Sequence, residues 1–181
     1  MAGTPRLTPE QIGQVSGLVI RYIATQREKY APRAVSLSAQ QRAAVAGFFS
    51  SQLLDSTRLL VLQRERVANP EFYPMLRDMG FKNLPDQSVM GAITFCDVVV
   101  FHEPFTDGLL FHELVHVEQY HQLGIPQFSE LYVQGFLNGG SYEAIPLEIN
   151  AYALERRFES DSHRAFSVED EVRRWAADGR L

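Results

Sequence analysis

The chain has 181 residues, of which 45% are hydrophobic and 22% are charged, and its formal net charge is −5. This length suits one domain with a substantial core, and the composition indicates neither disorder nor a membrane-spanning class. The basic residues are scattered along the sequence, so we expect no nucleic-acid partner and no membrane partner. Cys96 is the only cysteine, which excludes an intramolecular disulfide framework. No secretory signal is recognisable after Met1, and we therefore expect a cytoplasmic protein.

Two capping-box patterns predict helices in the first 55 residues. Thr8 is followed by Pro9 and, three residues on, by a glutamine, so a helix should begin there and run to Tyr30. Ser38 begins the same pattern, and we predict a second helix that ends near Leu54. These helices would form an N-terminal helical part of the chain.

Short strands and then more helices are predicted in the remainder. The apolar runs Thr57–Leu62 and Met90–His102 predict strands, and the second is rich in β-branched and aromatic residues. Prolines and glycines between them imply loops and one short helix. Further helices are predicted at Leu109–Leu123, about Gln127–Leu137, Pro146–Glu159 and Val168–Ala177. Because helices and strands do not alternate, this order predicts an α+β fold, mainly helical with a small sheet, in one domain of residues 1–181. Within it, residues 1–55 would form the N-terminal part and residues 56–181 the core.

The predicted helix 109–123 contains the sequence His112-Glu113-Leu114-Val115-His116, an HExxH motif. Side chains four residues apart project from one face of a helix, so both imidazoles can bind one metal ion. Glu113 points toward the side where a water on that metal would lie. Since the helix is apolar over most of its circumference, these polar groups would be costly to bury without partners. We therefore predict one zinc ion here, the alternative being two histidines that merely form hydrogen bonds in the core.

A third ligand must come from another part of the chain, because a catalytic zinc usually has three protein ligands. No histidine follows Gly124 until His163, and the nearby acids are Glu143 and Glu148. We favour Glu148, because it borders the apolar stripe of its predicted helix and the small Ala151 would allow close helix packing. An acid in a first helical turn is also favoured by the helix dipole without any metal, and Glu143 stays an alternative.

The HExxH motif and the later Glu148-Ile149-Asn150-Ala151 together resemble the HExxH plus ExxA signature of gluzincin metallopeptidases. The sequence is most similar to small bacterial metallopeptidase domains of unknown substrate, with the pattern HELVHxxQY followed by IPLExxAY. The matching residues cover about 90–160 and none of the first 55. The resemblance implies a zincin-like domain in which an edge strand of the sheet lies over the HExxH helix. It also implies His112, His116 and Glu148 as zinc ligands and Glu113 as catalytic base.

Tyr152 departs from the larger gluzincins, which have at that position an aspartate that supports a ligand histidine. The residue that orients the imidazole must then come from elsewhere, and Glu155 could do so from the same side of the helix as Glu148. Tyr142 and Tyr152 are our candidates for stabilising an oxyanion. Tyr120 and His121 are also available, and spacing does not choose among the four.

The motifs together predict a zinc-dependent hydrolase that cleaves a peptide or amide bond in a peptide or protein substrate. In this hypothesis zinc lowers the pKa of water, Glu113 accepts the proton, and the leaving amine later receives it. One alternative is a catalytically silent binding or scaffold module stabilised by zinc, and another is an effector restricted to one protein. An intact Glu113 argues against the silent module, because a purely structural site does not need that base.

Two polar residues in the predicted strand 90–102 allow more than one interpretation. Asp97 interrupts an otherwise apolar face and would mark either an exposed edge or a buried acid that pairs with a ligand. His102 is expected to be a packing residue rather than a further ligand.

Overall fold

The computed structural model describes residues 6–181 as an α+β fold that is mainly helical, as predicted, with one mixed four-stranded sheet. The helices are α1 (Pro9–Tyr30), α2 (Ala39–Ala44), α3 (Ser51–Ser56), α4 (Tyr73–Asp78), α5 (Asp107–Gly139), α6 (Pro146–Ser160) and α7 (Val168–Ala177). The strands are β1 (Val35–Ser36), β2 (Arg58–Val61), β3 (Ala92–Phe95) and β4 (Val98–Phe101). Their order in the sheet is β1-β2-β4-β3, so β3 lies at an edge.

The N-terminal region follows the prediction in its first helix and departs from it in the second. Thr8 and Gln11 form a capping box at the start of α1, which ends at Tyr30 as expected. Ser38 caps α2 as predicted, but the single helix predicted to reach Leu54 is wrong. The chain leaves α2 after six residues and turns at Gly47, whose φ of 85° favours glycine, before α3 begins.

The prediction of one strand at 90–102 is also wrong, because this segment folds into a hairpin. Strands β3 and β4 are antiparallel, and β4 pairs with β2 in parallel. The turn falls at Cys96, whose φ is 62°, and at Asp97. Arg27 of α1 donates two hydrogen bonds to the carboxylate of Asp97, one of them 2.8 Å long. Asp97 therefore ties the hairpin to α1 and is not a partner of a metal ligand.

Helix α5 contains the HExxH motif and is interrupted at Gly124, where φ is 69° and ψ is 164°. The sequence predicts two separate helices on either side of this glycine. In the structure the helix after Gly124 continues directly from the one before it, with no loop between them. Pro126 has no N–H to continue the helical hydrogen bonds at that point. Gly135, in the second part, allows α6 to approach closely, since a Cβ there would lie 2.6 Å from Cδ of Pro146. Because Pro146 opens α6, this close approach positions the first turn of α6 against α5.

The core lies between the sheet and the later helices. Buried side chains of β2, β4, α5, α6 and α7 pack together in one cluster, and α1 packs against α5 in a second cluster. None of the helices formed by residues 6–181 has the length and apolar content needed to cross a membrane.

Candidate metal centre

Three predicted ligands meet between α5 and α6. Nε2 of His112 lies 3.1 Å from Nε2 of His116, and Oε2 of Glu148 lies 3.5 and 3.3 Å from these two nitrogens. Ligand atoms about 2.0–2.1 Å from a tetrahedral zinc ion are about 3.3–3.4 Å from one another, so the spacing matches three corners of such a site. All three residues are buried, and the group could hold a metal ion. Glu143, the alternative third ligand, is exposed and lies outside this group.

The hydrogen bonds of the two imidazoles show which nitrogen of each carries a proton. Nδ1 of His116 lies 2.9 Å from Oε1 of Gln119, whose own Nε2 donates to the carbonyl of Leu147 and to Oδ1 of Asn150. This arrangement fixes the Gln119 amide, so Nδ1 of His116 must be the donor. Nδ1 of His112 lies 3.0 Å from Oε2 of Glu155 and donates to it in the same way.

With Nδ1 as the donor, a neutral imidazole at either position directs a bare Nε2 atom at the other ring and at Glu148. Oε2 of Glu148 is buried and has no hydrogen-bond partner. With both rings neutral, three acceptor atoms converge with no hydrogen between them, which is unfavourable unless a metal ion or protons lie among them. The residues therefore fit a metal ion, and Glu155 and Gln119 act as the oxygen partners that keep a ligand histidine in the correct tautomer.

The electrostatics of the group show the same need for positive charge. Burial lowers the pKa of His112, but the carboxylates of Glu148 and Glu155 outweigh it and raise this pKa to about 10. Burial also lowers the pKa of His116, and the charge of Glu148 again produces a net rise. Burial raises the pKa of Glu148, but the two histidines outweigh it and the pKa falls below its usual range. Two protonated imidazoles this close would repel each other, so one divalent ion meets the need better than two protons.

Glu113 lies beside the group but takes no part in it. Oε2 of Glu113 accepts a hydrogen bond of 2.7 Å from the hydroxyl of Thr94, which lies on the edge strand β3. Glu113 is buried, and it lines the same cavity as His116 and Glu148. An ionisable carboxylate is therefore held at the wall of a cavity, next to a candidate metal site, in a fixed orientation.

The four candidate residues for oxyanion stabilisation have different surroundings. Tyr142 lines the cavity with Glu148, and burial, followed by the charge of Glu148, raises the pKa of its phenol well above the usual value. Tyr120 also lines the cavity, but its ring stacks on Phe128. Tyr152 is exposed and is not among the residues that line the cavity, and its ring packs on that of His112 with centroids 4.5 Å apart. His121 is exposed and contacts Glu118 instead.

A partly open cavity of about 130 Å³ adjoins the metal-binding group. Its polar wall carries Glu113, His116 and Glu148, and most of its other lining residues are aliphatic or aromatic. Val15, Val19, Tyr22 and Ile23 of α1 form one of these apolar walls.

Sequence reasoning missed several residues of this site. Gln119 and Asn150 were not singled out, although their polar side chains stand at apolar positions of α5 and α6 and are fully buried. That mismatch of polarity and position was the available signal. Thr94 gave no signal, because threonine is ordinary in a strand. The apolar residues of α1 predict an amphipathic helix, but not the partner that it packs against.

No protein-family model, curated protein or solved structure matches this chain. The function has to be inferred from the chemistry of the site, since a fold alone does not determine it.

Proposed function

We propose that this protein is a zinc-dependent hydrolase of the metallopeptidase type, which cleaves a peptide or amide bond. The observation that carries the proposal is the convergence of His112, His116 and Glu148 on one point, with Glu113 beside them at the wall of the same cavity. Three protein ligands and access from a cavity are what a catalytic rather than a structural zinc site requires. The resemblance to gluzincins in the same residues supports the proposal.

Zinc is the metal that we propose because of the spacing and the kind of ligand. Two imidazole nitrogens and one carboxylate oxygen are common zinc ligands, and their separations suit a tetrahedral site. Iron(II) also binds two histidines and a carboxylate. A carboxylate placed as Glu113 is, however, the base that hydrolysis requires.

The residues of the chain have separate roles in the proposed reaction. A zinc ion held by the three ligands would supply a Lewis acid that lowers the pKa of water and polarises a carbonyl. Glu113 takes a proton and later returns it to the leaving amine. Thr94 engages Oε2 of Glu113, so we assign the proton transfer to Oε1. The phenol of Tyr142 stays protonated because its pKa is raised, and it is our candidate donor to the oxyanion.

The first experiment is elemental analysis of the purified protein together with three variants. We expect about one zinc ion per chain in the wild type and in Glu143→Ala, whose acid is exposed in the same segment. We expect zinc to be lost in His116→Ala and in Glu148→Ala. Retention of zinc by Glu148→Ala would contradict the ligand set, and stoichiometric iron would contradict the choice of metal.

The second experiment measures hydrolysis of a mixed peptide library by the zinc-loaded protein. Replacement of Glu113 by glutamine should keep the zinc and reduce kcat/KM by roughly 100- to 10,000-fold, because the base is lost. A Glu113→Gln variant with normal turnover would overturn the proposed role. A zinc-loaded wild type that hydrolyses none of the peptides would favour the catalytically silent, zinc-stabilised module.

A further inference from the structure

The cavity beside the metal-binding group is formed by parts of the chain that are far apart in sequence. Val15, Val19 and Ile23 come from α1, whereas Leu76 belongs to α4 and Phe136 belongs to the second part of α5. The N-terminal helix α1 therefore forms a wall of the candidate active site. A substrate group that enters this cavity must contact α1.

The charges at the cavity wall exclude several kinds of ligand group. Among the residues that line it there is no lysine and no arginine, and its acids and its histidine are those of the site itself, Glu113, Glu148 and His116. A carboxylate or phosphate would find no positively charged side chain in the apolar part, and an ammonium group would find no acid there. Burial of such an unpaired charge is strongly unfavourable.

The size of the cavity suits one side chain of moderate bulk. Its volume is about 130 Å³, and an apolar protein cavity of about 150 Å³ is known to accommodate benzene. A phenylalanine ring or a leucine side chain is of this size. The walls are also aromatic and aliphatic, so desolvation favours a ligand of the same kind.

We infer that this cavity is the specificity pocket of the enzyme and that α1 determines which residue it accepts. The substrate is a peptide with one large uncharged apolar side chain, of phenylalanine or leucine size, next to the scissile bond. This inference rests on the proposed function, because the scissile bond is defined only by the metal site and Glu113.

The test compares blocked peptides that are identical except for one central residue, which is Phe, Leu, Ala, Asp or Lys. For the wild type we expect kcat/KM for the Phe and Leu peptides to exceed that for the Ala peptide by roughly 10- to 100-fold, the effect of burying such a side chain. The Asp and Lys peptides should have the lowest kcat/KM of the five.

Two variants of half-buried Val19 change the pocket without touching the metal ligands. Val19→Arg places a positive charge at the wall. We expect kcat/KM to rise for the Asp peptide and to fall for the Phe peptide, each by about tenfold or more. Val19→Trp fills the pocket, and the preference for Phe over Ala should disappear. Gln14→Arg introduces the same charge at an exposed position of α1 and should keep the wild-type preference. Zinc content and Tm are measured for each variant to verify that it is folded.

Binding of the same peptides to zinc-loaded Glu113→Gln, measured by calorimetry, separates this inference from the proposed function. Tighter binding of the Phe and Leu peptides without turnover by the wild type would support the pocket and contradict the hydrolase. Turnover without an apolar preference, unchanged in both Val19 variants, would overturn the pocket and leave the hydrolase standing. Equal binding of all five peptides and no turnover would overturn both.

Discussion

Buried histidines occur in two places in this protein, and their surroundings differ. At the end of β4, His102 has one neighbour for each ring nitrogen. Its Nδ1 lies 2.6 Å from the carbonyl of Met90, and its Nε2 accepts a hydrogen bond of 3.0 Å from the N–H of Val67. One donor and one acceptor satisfy a neutral imidazole completely. In His112 and His116, Nδ1 also forms a hydrogen bond with an oxygen. Their Nε2 atoms, however, face each other and a carboxylate.

The difference shows that burial alone does not identify a metal ligand. His102 and His116 are equally inaccessible, with 6% and 5% of their surfaces exposed. What separates them is the group opposite Nε2, which is an N–H donor for His102 and a second acceptor for His116. A site whose acceptors converge in this way could hold a cation, whereas the His102 site is already complete.

The strongest test of the comparison is thermal unfolding of three proteins with and without added zinc. A ligand at 1,000 times its Kd stabilises the folded state by about 4 kcal/mol, which corresponds to a rise in Tm of roughly 8–16 °C for a chain of this size. We expect this rise in the wild type and not in His116→Ala. His102→Ala should unfold at a lower temperature, because it leaves buried partners unsatisfied, but should show the same zinc-dependent rise.

Two outcomes would break the comparison between these histidines. A zinc-dependent rise in His116→Ala equal to that of the wild type would place the metal elsewhere. Loss of the rise in a folded His102→Ala protein would show that His102 takes part in zinc binding. Replacement of His163, which is exposed, serves as the control and should change neither Tm nor its response to zinc.

A smaller effect is expected from Gln119, which orients His116 and is not one of the three candidate metal ligands. Gln119→Met retains the length of the side chain but removes the oxygen that accepts from Nδ1 of His116. Loss of such a partner typically weakens metal affinity by about 10- to 100-fold. Competition with a chelator measures this change, and Gln134→Met, at the exposed Gln134–Glu130 pair, provides the control. Unchanged zinc affinity in a folded Gln119→Met protein would contradict the positioning role.

The sequence predicts those parts of the molecule that depend on local chemistry. Capping boxes at Thr8 and Ser38 correctly mark two helix starts, and Gly124 marks the break in α5. The three candidate ligands follow from helical spacing and from the small Ala151 beside Glu148, and the structure brings them together. Each of these signals lies within a few residues of the feature that it predicts.

The missed features depend on contacts between distant segments. Asp97 is the local sign of an interruption in the predicted strand, but nothing local shows that a turn forms there and that Arg27 holds it. The cavity arises only when α1 packs against the sheet edge and α5. An apolar residue such as Val19 occurs in the stripe of any amphipathic helix, so the sequence does not show that it lines a cavity. Gln119 stands out only when its position in the core is known.

The smallest predicted effect contrasts two buried acids, Glu148 and Glu118. Glu148 faces two histidines that lower its pKa, whereas Glu118 accepts from the amide of Gln122 at 2.7 Å and has the exposed His121 3.7 Å away and the acidic Glu169 nearby. Burial therefore raises the pKa of Glu118 above its usual value. Between the unfolded and the raised folded pKa the folded state binds more protons than the unfolded state, so stability falls as the pH rises through this window.

Replacement of Glu118 by glutamine removes the cost of burying a charged carboxylate, and the side chain can still accept a hydrogen bond from Gln122. We expect Tm at pH 7 to rise by roughly 2–4 °C, the change that corresponds to about 1 kcal/mol, and the gain to vanish below about pH 4, where the wild-type acid is protonated. Glu130 accepts from Gln134 four residues on in the same way but is exposed, so Glu130→Gln should leave Tm unchanged. A Glu118→Gln protein that is less stable than the wild type at pH 7 would mean that the charge of Glu118 is needed. The buried acid would then resemble Glu148, whose charge the site uses, and the contrast between the two would fail.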